Sequence, residues 1–380
     1  MLLMAIATGW MLIAVALFGA CYAVTAAMML GRARAASTTS AAALPPVTLL
    51  KPLHRHSPWL EESLSSFCRQ DYPVPFQIVF GIHELDEGVI ATVERLKSEY
   101  PRLDIQLVID PLRHGANPKI SNVINMLPNA AHDILVLSDD DIAVPPDYLR
   151  SVVGALGHED VGAVTCFYAG RSIENFWSKL SAMGINYQFL PNAVLAVSLG
   201  LAAPCFGATI ALRKSVLAAI GGFEAVRNHL ADDYEIGRLV RACGLRVEVA
   251  PTPVSHICAE QSSVELFRHE LRWARTIRKI DRSGHLGSVV THALPLGLIG
   301  SELSGFSIDA SASIVAILAA RWFLKHRIDA VFGHSGAKPW LLPLSDIFSF
   351  AVFLCSFLGM RVDWRELRYD VNADGALAQR

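Results

Sequence analysis

From Met1 to Gly31 no residue carries a charge. That run exceeds the roughly 20 apolar residues a membrane-spanning helix needs. Arg32 and Arg34 follow at once, so the positive-inside bias directs the chain beyond them to the cytoplasm. Ala41-Ala42-Ala43 offers the small residues of a signal-peptide cleavage site, but a basic n-region is missing and the apolar run is too long, so an uncleaved anchor over 1–31 is expected. Apolar character returns after Gly284: Leu286 to Ser301 is uncharged, Ile314 to Ala320 leads to Arg321, Lys325, His326 and Arg327, and Ile347 to Met360 forms a third stretch. Glu302, Asp309 and Asp346 interrupt these runs, so spanning and interfacial helices are both open and the number of C-terminal crossings is not set.

The stretch between these ends has a different rhythm. Residues 32–46, rich in Ala, Ser and Thr and closing on Pro45-Pro46, read as a linker. Short apolar runs at Val47–Lys51, Phe76–Ile82, Ile105–Ile109 and Asp133–Ser138 read as strands. Between and after them, Pro58–Cys68, Val89–Tyr100, Asn117–Leu127 and Pro146–Leu156 have helical spacing. Such alternation predicts an α/β domain over 47–285 with a parallel sheet covered by helices on both faces. Membrane segments are expected over 286–362 and a polar tail over 363–380.

Composition agrees with a chain partly in lipid: 52% of residues are hydrophobic, 18% are charged, and the mean hydropathy is +0.37. A net charge of -2 gives no electrostatic case for nucleic acid, and none is expected as a partner. The seven cysteines show no C-x-x-C spacing, so neither a zinc site nor a disulfide framework is indicated. Buried packing in a reducing cytoplasm suits them.

In parallel sheets ligands gather beyond the carboxyl ends of the strands, and Asp139-Asp140-Asp141 follow the fourth strand directly. If the strand continues, Asp139 and Asp141 project to one side, where they can hold Mg²⁺ or Mn²⁺ with donor phosphates completing the coordination. The bland alternative is an acidic turn that caps the helix near Pro146. A second acidic pair, Asp232-Asp233, follows Gly221-Gly222-Phe223 and precedes a helical stretch through Tyr234–Cys243. One of the two suits a helix N-cap, and the other a general base that takes the proton of an attacking hydroxyl. Arg272-Trp273 lies among Arg268, Arg275, Arg278 and Lys279. Its guanidinium can pair with a departing diphosphate and its indole can wall an acceptor pocket, or the stretch is a basic juxtamembrane face for anionic lipid. His54, His56, His83 and His114 lack a third partner at local spacing and are read as ordinary histidines.

The N-terminal anchor, Leu50-Lys51-Pro52-Leu53, Asp71-Tyr72-Pro73, Gly115-Ala116-Asn117-Pro118-Lys119, the Asp139 cluster, Ala231-Asp232-Asp233-Tyr234 and Leu271-Arg272-Trp273 occur in one order along nearly the whole chain. Together they resemble the ceramide glucosyltransferase family of GT-A glycosyltransferases. The bacterial hopanoid biosynthesis-associated branch is especially similar at Cys205–Thr209 and Arg268–Arg275. The resemblance implies an α/β, Rossmann-like GT-A domain between N- and C-terminal transmembrane helices. It also implies an inverting transfer of a hexose or N-acetylhexosamine from a UDP-sugar donor to a membrane lipid hydroxyl, of a hopanoid polyol or ceramide. On this chain's positions it implies Asp233 as the base, Asp139 and Asp141 as ligands of Mg²⁺ or Mn²⁺ and of the diphosphate, and Asp86 at the uracil or ribose. Lys119 would line the nucleotide site, and Arg272 with Trp273 would support leaving group and acceptor. His83-Glu84-Leu85-Asp86 is less acidic than the usual segment, and His269 stands where many relatives carry Gln or Arg.

The resemblance further implies a multi-pass protein of the cell inner membrane, its catalytic domain facing the cytoplasm and its acceptor arriving through the bilayer. The rivals are a polyprenyl-phosphate glycosyltransferase, a short-chain polysaccharide synthase and, from another class, a non-catalytic membrane scaffold with the same fold.

Overall fold

The computed structural model describes residues 1–35, 44–333, 338–359, 361–364, 367–371 and 377–379. Part of the expected linker and part of the polar tail lie outside them. The chain divides into two compact units, one of Met1–Ala33, Ala169–Leu201 and Cys258–Asp370, the other of Arg34–Tyr168, Ala202–Ile257 and Val371–Arg380. Residues 169–201 and 258–285, which lie inside the span expected for the α/β domain, thus group with the terminal helices.

In chain order the elements begin with α1 (Leu2–Ala35), then β1 (Val47–Pro52), α2 (Leu60–Cys68), β2 (Gln77–Ile82), α3 (Glu87–Glu99), β3 (Asp104–Ile109), α4 (Pro118–Met126), β4 (Ile134–Leu137), β5 (Ile142–Ala143) and α5 (Tyr148–Leu156). There follow β6 (Val161–Ser172), α6 (Phe176–Gly184), α7 (Leu190–Ser198), β7 (Ile210–Arg213), α8 (Lys214–Ala219), α9 (Asp232–Ala242) and β8 (Arg246–Cys258). The last helices are α10 (Ser263–Ile280), α11 (Arg282–Gly287), α12 (Ala293–Leu303), α13 (Ile308–Phe332) and α14 (Leu342–Ser356).

Every residue of β1, β2 and β4 is buried, which is why these strands read as unbroken apolar runs rather than alternating ones. Consecutive side chains still go to opposite faces. Leu49 joins one core cluster with Phe67, Phe80 and Tyr148, and Leu50 the other with Ile120, Val123 and Leu137. The strand order is β3-β2-β1-β4-β7-β6-β8-β5.

An all-parallel sheet is not what forms. β3, β2, β1 and β4 run parallel, but β7 is antiparallel to β4, β6 to β7, and β5 to β8. The half the sequence did not resolve is the antiparallel half. Gly162 and Gly170 dilute the pattern of β6, and Pro251 and Pro253 interrupt that of β8, so neither segment has the period that marks a strand.

The other unit holds α1, α6, α7 and the helices from α10 onward. Among the described residues two of its helices are long and apolar enough to cross a membrane, Leu2–Leu30 and Pro339–Ser356. A third crossing results if Arg282–Thr291 and Ala293–Leu303, bent by 64°, form one broken span. Small residues bring α1 and α12 together: a Cβ on Gly9 would lie 2.7 Å from the Gly300 carbonyl oxygen, and one on Gly300 would lie 2.7 Å from that of Gly9. Without a hydrophobic drive between helices in lipid, this close backbone approach supplies the packing. Arg321 of α13 pairs with Asp346 of α14 through Nε and Nη2, and its Nη1 donates to the Tyr187 carbonyl at 2.8 Å. Tyr187 stands in the π-helical turn Ile185–Phe189 that joins α6 to α7, and its hydroxyl donates to Asp329 at 2.7 Å.

Candidate active site

The acidic triplet sits in a turn, not on a strand. β4 ends at Leu137 and the chain turns so that the Ile142 N–H faces the Asp139 carbonyl at 3.4 Å before β5 begins. Strand alternation therefore does not orient Asp139 and Asp141; the side chains around them do. Asp139 accepts an ion pair from Lys119 at 2.7 Å. Asp141 lies 3.6 Å from Nδ1 of His256, too far for a hydrogen bond but within what two ligands of one cation can span. His256 reaches that position because β5 pairs with β8 in the register Ile142↔His256, and the Ile257 N–H donates to the Asp141 carbonyl at 2.8 Å. A lone histidine at the end of a proline-interrupted apolar run carries no sequence signal of its own, so sequence reasoning missed it.

Lys119 is brought in by a helix cap. Asn117 caps α4 by accepting the Ile120 N–H at 3.1 Å, and Pro118 opens the helix, where its missing N–H costs nothing. The same Asn117 amide donates to the His229 carbonyl at 2.9 Å and to Asp232 at 3.1 Å. This ties the start of α4 to the start of α9 and aims Lys119 at Asp139 and, at 3.1 Å, at Asp232. Burial alone would lower the Lys119 ammonium, but the carboxylates of Asp139, Asp232 and Asp233 outweigh it and hold it above the ordinary lysine value.

The α9 pair divides its roles in the structure. Neither aspartate is the N-cap; Ala231 holds that position, and Asp232 and Asp233 are the first helical residues, where the helix dipole favours negative charge. Asp232 is buried against Asn117 and Lys119. Asp233 accepts the Gly207 N–H and the Tyr234 N–H, each at 2.8 Å. Burial, and then the neighbouring Asp232 charge, push its carboxyl up to about 6. Burial also raises Asp139.

One point in space shows how these groups converge. A Cβ on Gly207 would lie 3.0 Å from an Asp139 oxygen, 3.2 Å from the Lys119 ammonium and 3.4 Å from an Asp233 oxygen. The segment is held in place by Thr165, whose hydroxyl accepts the Phe206 N–H at 2.8 Å. Lys119, Asp139 and Asp233, distant in sequence, thus line one wall. Asp86 stands apart in the same unit. It caps α3 by accepting the Val89 N–H at 3.0 Å and takes the His56 N–H at 3.1 Å, bonds which, led by that from Val89, hold it below the usual carboxylate range.

Arg272 and Trp273 belong to α10, in the unit of the terminal helices. One turn earlier on the same helix, His269 packs its ring edge-on to Trp273 at 4.4 Å and pairs with the buried Glu260 at 2.5 Å. Of the histidines set aside from the sequence, His83 is held by the carbonyls of Asp110 and Pro118, and His114 by the Asn125 side chain. All seven cysteines are free.

Among the described residues no three His, Cys, Asp or Glu side chains already converge as metal ligands; Asp139 is turned to Lys119 instead. The donor types nevertheless suit Mg²⁺ or Mn²⁺, since such ions are commonly held by one or two carboxylates while phosphate oxygens and water complete the shell. Carboxylates at Asp139 and Asp141 with an imidazole at His256 meet that requirement.

The model of glycosyl transferase family 21 matches residues 10–377. The chain belongs to that family. It is similar to ceramide glucosyltransferase 1 of Caenorhabditis elegans, 23% identical over 272 residues, covering 70% of this chain and 58% of that protein. To ceramide glucosyltransferase 3 of the same organism it is 24% identical over 242 residues, covering 61% and 50%. The family 21 chain therefore spans between half and three-fifths of the length of these relatives. Among solved structures it is similar to a mannosyltransferase from Pyrobaculum calidifontis in complex with GDP-Man and Mn²⁺, at 22% identity and a TM-score of 0.51, covering 91% of this chain and 99% of that one. The shared fold is GT-A, a mixed sheet covered by helices.

Proposed function

We propose that this family 21 chain is an inverting glycosyltransferase that moves a hexose or N-acetylhexosamine from a UDP-sugar to a hydroxyl of a membrane lipid, a hopanoid polyol or ceramide. The observation that carries this is the convergence of Asp139, Lys119 and Asp233 around Gly207. The names of the two nematode relatives support a lipid acceptor and a glucosyl donor. The nucleotide-sugar and Mn²⁺ complex of the structural neighbour supports the donor class and the metal.

Asp139, Asp141 and His256 are the proposed holders of Mg²⁺ or Mn²⁺, which when bound supplies positive charge to the departing diphosphate. Lys119, buried and charged, adds a fixed cation on the same wall. Asp233 takes the proton of the attacking hydroxyl. Its two N–H donors hold the carboxylate in one orientation, and its raised value makes it a better proton acceptor than an exposed aspartate while leaving it largely ionised at neutral pH. Asp86 is proposed at the uracil or ribose, and Arg272 and Trp273 at the leaving group and acceptor. The apolar helices support a multi-pass membrane protein, for which we propose the cell inner membrane with the catalytic unit facing the cytoplasm.

The test is UDP release by the purified full chain in detergent, given Mn²⁺, UDP-glucose or UDP-N-acetylglucosamine, and a lipid extract, with the lipid product identified by mass spectrometry. Asp233→Asn should lower turnover by about 10²–10⁴-fold with UDP affinity preserved. Near-normal turnover in that variant removes the base assignment, and a sugar-phosphate or glycan product in place of a glycosylated lipid hydroxyl removes the acceptor class.

A further inference from the structure

The catalytic unit buries a lysine that the proposed chemistry does not use. Lys51, at the end of β1, is wholly buried with its ammonium 3.9 Å from the centre of the Phe67 ring. A lysine in a central strand is expensive unless its charge is satisfied, and here the partners are main-chain carbonyls of the acidic turn. The ammonium donates to the Asp139 carbonyl and lies 3.5 Å from that of Ile142. Ser63 of α2, also wholly buried, reaches the same turn, its hydroxyl 2.8 Å from the Asp140 carbonyl and 2.6 Å from that of Ile142. From the adjoining loop the His54 N–H donates to the Asp140 side chain at 3.1 Å.

These contacts grip the turn by its backbone on the buried side, and the Asp139 side chain leaves it toward Lys119 and Gly207. The strand has already ended at Leu137, and the neighbouring strands hold residues 138–141 at the two ends of the turn, where the Ser138 N–H donates to the Leu50 carbonyl at 3.2 Å and the Ile257 N–H to the Asp141 carbonyl at 2.8 Å. We propose that Lys51, with Ser63, is a positioning clamp that fixes the Asp139–Ile142 backbone so that the Asp139 and Asp141 carboxylates are presented ready-arranged to a divalent cation. The inference rests on the metal role given to those two carboxylates above. It adds why an apolar strand tolerates a lysine at this position.

The clamp and a simple charge effect predict opposite outcomes. A buried cation repels a dication, so if Lys51 acted by charge alone its removal would tighten metal binding. If it positions the turn, its removal weakens metal binding, because freed carbonyls swing toward water and carry the carboxylates with them. The measurement is Mn²⁺ affinity of the full chain in detergent with no donor present, read from the electron-paramagnetic signal of free Mn²⁺, for wild type, Lys51→Met, Ser63→Ala and Asp141→Ala. Thermal unfolding in metal-free buffer shows which variants are folded; Ser63→Ala, which deletes one hydroxyl and buries no new charge, keeps the test intact if Lys51→Met does not fold. The expected result is a loss of about tenfold in Mn²⁺ affinity for each folded clamp variant. Unchanged or tighter Mn²⁺ binding in them, alongside lost binding in Asp141→Ala, overturns the clamp and leaves the metal site standing. Absence of Mn²⁺ binding by wild type removes the metal reading and the clamp with it.

Discussion

At the scale of single residues, the decisive contrast is between two adjacent aspartates in one helical turn. Asp232 is paired with Lys119 and held by Asn117, whereas Asp233 receives two backbone N–H groups and is pushed up to about 6 by burial first and the Asp232 charge second. The sign of the resulting pH dependence follows. A base works only when ionised, so kcat/KM should fall as pH drops through about 6 and approach a tenfold loss per unit below it. A pH profile taken at fixed saturating Mn²⁺ checks this, and a limb that stays flat down to pH about 4.5, where an ordinary carboxylate titrates, removes Asp233 from the role. Residue type and spacing left the two aspartates equivalent, and only the family resemblance pointed to Asp233 as the base. That distinction depends on Asn117 and Gly207, which approach only in the folded chain.

At the scale of elements, the cap of α4 links two helices that are far apart in sequence. Asn117 accepts the Ile120 N–H and donates to both His229 and Asp232. Its replacement by alanine removes a cap worth about 1 kcal/mol and leaves the buried Asp232 with one fewer partner, at a further cost of about 1–3 kcal/mol. Denaturant unfolding of Asn117→Ala should show a loss of that combined order, accompanied by reduced UDP affinity as Lys119 loses its aim. Wild-type stability would mean that the cap contributes no measurable support. The parallel half of the sheet was legible because β1, β2 and β4 are buried on both faces and punctuated by amphipathic helices. The antiparallel half was not, since glycines in β6 and prolines in β8 broke the period, and pairing partners across a sheet leave no local trace.

At the scale of the whole molecule, charged residues inside the helical unit are tied to one another. Arg321 and Asp346 are both buried and paired between α13 and α14, so truncating one of them leaves the other charge stranded. Arg321→Ala or Asp346→Ala should each destabilise by about 3–5 kcal/mol, while the double exchange Arg321→Met with Asp346→Leu should recover most of the loss. Thermal unfolding of the three variants in detergent reads this, and a double-variant loss equal to the sum of the two single losses would show that the pair is not coupled. By itself the sequence determined what depends on local period and residue type: the N-terminal apolar helix, the C-terminal apolar segments, the parallel strands, the family, and the aspartates and basic residues offered as chemistry. Only the tertiary structure decided that the acidic triplet lies in a turn gripped from beneath by Lys51 and Ser63, that His256 is the neighbour of Asp141, and that Asp233 rather than Asp232 meets Gly207. Hydrophobic burial follows a repeat along the chain and can be read there, whereas a side-chain constellation is set by strand register and helix caps that join residues a hundred positions apart.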